Sequence, residues 1–569
     1  MVIPSRRFTR RAVMLKGGVS LLGLSLLSAC GGGTGAPAAT TAPTASSAAT
    51  SAPSSAASGS PPASAPAASP AAAPASSTAV VHVGGDEPVP GPDPATDVSG
   101  SGFYINHNVY DQLVAYDWSA SKVAPRLAAS WESSADSMTW TFKLDPNAKF
   151  PSGRPITGSD VQWSLNRTLA INDSSNAGYL RTAIDEHSVT APDDHSVQIN
   201  LAKKYAGFLA LLTMNAASVL DQQVITPNVQ GNDYGQAWLR QHSAGSGPFV
   251  LDQWQRGQQL VMKRNDAYWG SPAKIAEWDI LVVKEAAQQA MMLQGGDLDV
   301  AISLLPDELK SLATTKGFGV AKGTLLSPYY LAMNMTMAPF DDVRVRQAVR
   351  LALNNETTIQ DLLGGNAVPI GGIIAPGLLG YDPSLVVTRD VAQAKQLLAQ
   401  AGHPSGFSVE MRFQSAAIAG VGVPQSDLAA KVQADLAEVG IQLKLTAQDP
   451  ATLLTFYRAG KSPLTMWYWG PTYPDPDVII STHGDKTTNG SQRVGFEDDE
   501  ITTLIQDARV EFDPTKREAL YKQAQQLTAQ RGPYAFMFVP KALQGVSDKV
   551  QHYTIDPIWN ADMWTVTKS

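Results

Sequence analysis

The sequence predicts an α/β fold with mixed sheets, and three observations carry that expectation. From about residue 80 onward, short β-branched or aromatic runs of period two alternate with amphipathic stretches of period 3.6. Turn residues fall at the joints, with Gly or Pro closing a helical stretch before the next apolar run. At 569 residues, 44% hydrophobic and 17% charged, the chain is too long for one core and too apolar for disorder. Roughly three to four compact units are expected at this length.

Residues 1–30 read as an export address. "SRRFTRRAVMLK" is a basic leader, and "GGVSLLGLSLLSA" is an apolar run too short to remain as a membrane span. "TRRAVMLK" resembles a twin-arginine signal, with Val13 where such signals usually carry Phe. "LSAC", residues 27–30, resembles a bacterial lipobox. Cys30, the only cysteine, is then the lipidated N-terminus of the mature chain rather than half of a disulfide. Residues 31–78 are Gly, Ala, Pro, Ser and Thr alone. They bury too little to offset chain entropy, and form a disordered leash with a reach of about 40 Å. Arg6, Arg7, Arg10, Arg11 and Lys16 are the only charges before residue 80, so the body without them carries −13 rather than −8. Such an acidic body argues against nucleic acid or an anionic membrane surface as partner.

In the body, "TAVVHVGGDEPV" is a first strand broken at Gly-Gly. "DSMTWTFKL" sets Met138, Trp140, Phe142 and Leu144 against polar alternates, as in a half-buried strand. "TGSDVQWSLNRTLA" is a capped helix with Val161, Leu165 and Leu169 on one face. "GPFVLDQWQRGQQLVMKRN" is a hairpin turning at Arg256-Gly257. "EWDILVVKEAAQQAMMLQGGDLDVAIS" is a strand–helix–strand unit with Gly295-Gly296 stopping the helix. Later helices are expected in "FDDVRVRQAVRLALN", opened by acids that suit its dipole, and in "TRDVAQAKQLLAQAGHP", stopped at Gly402. "DLAAKVQADLAEVGIQLKL" is helix then strand. "FDPTKREALYKQAQQLTAQRGPYAFMFV" begins with Asp513 as cap and Pro514 in the first turn, and ends in a strand.

Catalytic signatures fail on inspection. "GKS" at 460–462 has Thr455 where a phosphate loop needs glycine, and "GSGPF" at 245–249 lacks the third glycine of a dinucleotide loop. There is no G-x-S-x-G elbow and no H-E-x-x-H, and the eight His residues form no pair at ligand spacing. No catalytic residue, metal site or cofactor is expected.

The stretch "WYWGPTYPDPD", residues 467–477, combines two patterns. Its first half continues "LTMWYWG", a strand in which Trp467 and Trp469 share a face and Tyr468 takes the other; two Trp on one face fit a core as well as a binding wall. In its second half Asp475 can cap a helix, Pro476 fits the first position, and Asp477 favours the dipole.

Five blocks in order resemble one family. "RLAASWESSADSMTWTFKLDPNAKFPSGRPITGSDVQWSL", "GSGPFVLDQWQRGQQLVMKRNDAYWG", "MMLQGGDLDVA", "NMTMAPFDDVRVRQAVRLAL" and "WGPTYPDPD" are similar to extracellular solute-binding proteins, family 5. These are the oligopeptide, dipeptide and nickel receptors of ATP-driven importers, and the likeness runs from about residue 80 to the C-terminus. It implies a clamp of the type II periplasmic-binding-protein kind, with two main lobes and an additional lobe. Lobe I would comprise 79–123, 244–328 and 536–569, lobe II the insert 124–243, and lobe III 329–535. Closure would occur about strands near 244–249 and 325–333, around a ligand in the cleft.

The resemblance brings Trp469 to the cleft, together with Phe103 and Tyr104 in "SGFYINHNVYDQL"; Trp467, Thr472, Tyr473 and Asp475 beside Trp469 are the further candidate ligand contacts. Arg493 in "GSQRVGF" is a candidate partner for a ligand carboxylate, and Asn334 in "LAMNMT" serves either the crossing strand or the ligand. In the peptide-binding branch an aspartate three residues after the Trp pairs with the ligand's α-amino group; this chain has Thr472 there. A hydroxyl cannot replace that carboxylate. Either the ligand lacks the amine, or another acid such as Asp475 or Asp111 takes the role. The expected function is that of a lipid-anchored, monomeric receptor that hands a peptide or peptide-like solute to a permease with cytoplasmic ATPases. The alternatives are a signalling or chaperone-like binding protein on the same scaffold, or a hydrolase assembled from distant residues.

Overall fold

A fourteen-residue strand, Tyr534–Ser547, organises the fold. Tyr329–Met333 pairs antiparallel with its first half and Phe318–Thr324 with its second, one following the other along it. Ala367–Pro369 and Val300–Ala301 also pair with it. Its Pro540 cannot donate to a ladder, and its carbonyl instead accepts from Leu325 N at 3.2 Å, where the chain passes between the two neighbouring strands. The outcome is one continuous twelve-stranded mixed sheet. The computed structural model describes residues 77–569 apart from 89–90, 98 and 172–174. The expected export address, Cys30 and nearly all of the leash therefore lie outside the described residues.

At one end of this sheet stand Val80–Gly85, Glu277–Val282, Gln259–Arg264 and Phe249–Gln255. The expected strand–helix–strand unit is present as Glu277–Val282, helix Ala286–Gly295 and Val300–Ala301. Gly296 closes the helix at φ 87°, a left-handed conformation that favours glycine. Its two strands are not neighbours, however. Val80–Gly85 lies between them, parallel to both. The buried Val81 and Val83 gain two flanking strands this way, a placement no local pattern reveals.

At the other end Ile441–Gln448, Phe407–Gln414 and Leu464–Tyr468 are mutually parallel in sequence along the sheet. A separate four-stranded antiparallel sheet contains Ala128–Ser133, Thr139–Leu144, Ser196–Asn200 and Val189–Asp193. Trp140, Phe142 and Leu144 are buried as the alternation requires, and helix Gly158–Ala170 covers them with Val161, Leu165 and Leu169. Thr157 and Asp160 form its capping box. Burying each such side chain contributes about 1.5–3 kcal/mol.

The glycines of "GSGPF" have a packing reason. A side chain at Gly245 would lie 2.1 Å from the Val109 carbonyl and one at Gly247 only 2.6 Å from the Val109 backbone. This segment is a close backbone crossing beneath helix Gly100–Val109, with Gly247 N donating to Val109 O at 3.0 Å.

Candidate functional site

Leu464–Tyr468 pairs with Tyr329–Met333, placing Trp467 opposite Tyr330 and Tyr468 opposite Tyr329. Trp467 is buried and stacks on Tyr457 at 5.1 Å, whereas Tyr468 stacks on Tyr329 at 4.9 Å in another apolar cluster. Trp469 leaves the strand end half-buried, packs against the cluster that holds Trp467, and donates its backbone N–H to Pro328 O at 3.3 Å. The indole Nε1 of Trp469 is sealed from solvent and has no acceptor. The Thr472 hydroxyl is likewise sealed and makes no well-formed hydrogen bond, although the Tyr179 phenol lies beside it. Each such orphan costs roughly 1–3 kcal/mol unless something else supplies the bond.

The Asp-Pro-Asp half is the opposite case. Asp475 is buried and accepts from both terminal nitrogens of Arg517, at 2.7 and 2.8 Å, and from Asp477 N at 2.9 Å. Arg517 also donates to Tyr521 Oη and Ala508 O. Asp477 accepts from Ser481 Oγ at 2.6 Å and pairs with Arg509 at 3.3 Å. Desolvation nevertheless pushes the Asp477 carboxyl up. The helix begins one residue later than the sequence suggests, at Asp477, with Pro476 at its cap position. Tyr473 is buried with its hydroxyl 2.7 Å from that of Tyr205, and its ring meets Tyr179 edge-on at 6.2 Å.

The second fallback acid is committed too. Asp111 is fully buried and accepts from Arg126 Nε at 2.5 Å, Ser246 Oγ at 3.0 Å, Trp269 Nε1 at 3.1 Å and Tyr268 Oη at 3.3 Å. Neither Asp111 nor Asp475 is left free to meet an ammonium, because releasing either would strand a buried arginine.

Tyr104 requires a correction: it is a core residue. Its ring lies 4.8 Å from Trp278 and its hydroxyl donates to Met563 Sδ at 2.8 Å, with no exposure at all. Helical geometry turns it away from its half-buried neighbour Phe103. Asn334 serves the strand crossing, donating to Gly460 O and accepting from Thr336. Arg493 lies 5.8 Å from the Tyr457 ring and forms no ion pair with a described residue. It lines a groove of about 490 Å³ with Arg458, Gly460, Asn489 and Gln492, where a carboxylate could reach it.

Sequence reasoning missed three residues. Asn106 has no exposure, yet neither side-chain amide atom has a partner. Asn215 donates to Phe103 O at 3.2 Å and keeps a buried, unpartnered Oδ1. Tyr179 completes the chain: its helix Ser175–Leu180 packs on the turn Asn215–Ala217, which in turn packs on helix Gly100–Val109. Their only signal is asparagine in apolar surroundings, in "YINHNVY" and "TMNAAS"; nothing local says that they converge. Asn215 thus touches Phe103 and Tyr179 lies beside Thr472, and the unpartnered atoms of Asn106, Asn215, Thr472 and Trp469 are all neutral. Among the described residues no group of three His, Cys, Asp or Glu is placed to hold a metal.

The family model for bacterial extracellular solute-binding proteins, family 5, matches residues 122–491, more than half of the chain. The probable D,D-dipeptide-binding periplasmic protein of Escherichia coli is 28% identical over 474 residues, spanning 82% of this chain and 89% of its own. The dipeptide-binding protein of the same organism is 29% identical over 479 residues, 79% of this chain and 87% of its own. The dipeptide-binding protein of Pseudoalteromonas, solved with Met-Leu, superposes with a TM-score of 0.75 at 21% identity, covering 86% of this chain and all of that one. The fold is therefore the type II periplasmic-binding-protein fold expected from the sequence, and the family is one of binding proteins, not enzymes. The chain belongs to the bacterial extracellular solute-binding proteins, family 5.

Proposed function

We propose that this chain is an exported receptor, lipid-anchored at Cys30, that captures a peptide-like solute without a free α-amino group and passes it to an importer permease. The solute would occupy a cleft between the lobes set out above, with Phe103, Asn106, Asn215, Thr472 and Trp469 on its walls. One observation carries the reading: the unpartnered buried groups here are amides, a hydroxyl and an indole, while Asp111 and Asp475 are each locked to an arginine. A free ammonium entering this set would meet no available carboxylate and would stay unpaired, at several kcal/mol. Amide, ester or N-blocked groups match the spare donors and acceptors. The likeness to peptide receptors supports a solute of peptide size.

The test is calorimetric titration with pairs of dipeptides differing only in N-acetylation. The acetylated member should bind at least as tightly. Thr472→Asp should reverse the preference, raising affinity for the free-amino member by about tenfold or more. Tight binding of free-amino dipeptides by the unaltered protein would overturn the reading. Anchoring is read separately, as lipid-modified mass at Cys30 that Cys30→Ser abolishes.

A further inference from the structure

His107, one residue beyond Asn106, opens onto a cavity of about 380 Å³ walled by residues 115–119 and the C-terminal segment 554–564. Aromatic rings form much of its wall. The His107 ring stacks on Trp559 at 5.0 Å with 6° between planes and lies 5.2 Å from Trp564. Trp118 approaches Trp559 at 6.2 Å and takes Tyr116 edge-on at 4.6 Å. Trp559 is buried, while Tyr116, Trp118 and Trp564 are half-buried at the cavity.

The charges around these rings are mostly negative. Asp117, Asp556 and Asp562 all line the cavity. Asp562 faces His107 Nε2 at 2.7 Å. Asp556 accepts only from the backbone of Ile558 and Trp559, at 2.8 and 2.9 Å, and no described cation pairs with it. Desolvation pushes its carboxyl up, opposed by the nearby His107 imidazole and reinforced by Asp562. The one arginine at the cavity, Arg126, lies over Trp564 at 5.0 Å, but its charge is already matched by Asp111.

We propose that this cavity recognises the cationic head of a small solute, a quaternary ammonium group, held against the half-buried rings of Tyr116 and Trp118 and balanced by Asp556. Ring faces carry the negative lobe of the aromatic quadrupole, so they attract a cation that is only partly dehydrated. An anion would meet three carboxylates. A purely apolar guest would need none of them and would leave Asp556 unbalanced. The cavity adjoins the neutral set, since Thr213, on its wall, is two residues from Asn215. A solute spanning both would carry a neutral polar portion and, remote from it, a cationic head. That extension rests on the receptor reading above, but the cation site is tested without it.

The experiment titrates the purified full-length protein with choline and with its uncharged isostere 3,3-dimethyl-1-butanol, following tryptophan fluorescence. Choline is expected to give a saturable change, with the isostere about tenfold weaker. Asp556→Asn and Trp118→Ala should each weaken choline by a similar factor with unchanged circular dichroism. Trp118 is the safer variant, because Asp556 also holds two backbone N–H groups. Equal binding of the isostere, no saturable change, or indifference to both substitutions would each overturn the proposal. Loss of acetylated-dipeptide binding would not bear on it, so the two readings fail separately.

Discussion

Two halves of one turn, nine residues long, are built on opposite rules. In residues 475–477 each carboxylate oxygen of Asp475 and both oxygens of Asp477 have partners, among them Arg509 and Arg517 from helices Asp499–Val510 and Pro514–Arg531. In residues 469–472 the indole of Trp469 and the hydroxyl of Thr472 are buried with no hydrogen bond made. An orphaned buried donor costs stability, and beside a family cleft a solute is one way to satisfy it, so here saturation fits a structural joint and deficit fits a solute wall. The halves differ in composition, Trp-Gly-Pro-Thr against Asp-Pro-Asp, but composition does not say which is satisfied. Burial and partners separate them, and neither is visible along the chain.

The largest expected effect comes from breaking the saturated half. Arg517→Met leaves Asp475 buried and unpaired and should cost about 3–5 kcal/mol in urea unfolding. Solute affinity of the folded fraction should stay within about twofold of the unaltered protein. If affinity fell in step with stability, Asp475 would belong to the solute wall and the division of the turn would collapse.

A second effect concerns the floor under Leu464–Tyr468. His483 is buried, donates Nδ1–H to Ile479 O at 2.8 Å and accepts from Tyr330 Oη at 2.8 Å, so it is the neutral tautomer that fits. Desolvation pushes it down to about 4 from an ordinary 6.5. Above pH 6.5 the ring is neutral in both folded and unfolded chains and its contribution is complete. Between pH 6.5 and 4 the unfolded chain takes up a proton that the folded one refuses, and stability falls by about 3 kcal/mol over that window. His483→Gln should flatten the acid limb of a stability–pH curve. An unchanged limb would mean that His483 is solvated and that the cluster beneath the site is looser than its burial implies.

Much of the frame was legible in the sequence because it is written in local periods. Phe142 and Leu144 alternate, Val161, Leu165 and Leu169 recur every four residues, and both patterns survive folding as buried faces. What failed depended on distance. The strand–helix–strand unit looked self-contained, yet Val80–Gly85 arrives from about two hundred residues away to separate its strands. The family resemblance puts Tyr104 at the cleft along with Phe103, and only the Trp278 and Met563 contacts reveal it as core. Asn106 and Asn215 carried no motif. Their meaning lies in what each lacks once the chain has folded.

The smallest effect is the most discriminating, because it should act on stability and affinity with opposite signs. Thr472→Val keeps the shape of the side chain and removes a hydroxyl that is sealed without a bond. If that hydroxyl waits for a solute, its burial burdens the empty protein, and its removal should raise stability by about 1 kcal/mol. The bound state should lose a bond of similar worth, weakening solute by about tenfold. Trp469→Phe should follow the same pattern for the indole N–H. A hydroxyl already satisfied by Tyr179 gives the contrary result: Thr472→Val would then strand the phenol, lower stability and leave affinity unchanged. That outcome would move Thr472 into the saturated half of the turn and leave Trp469 alone as the mark of the site.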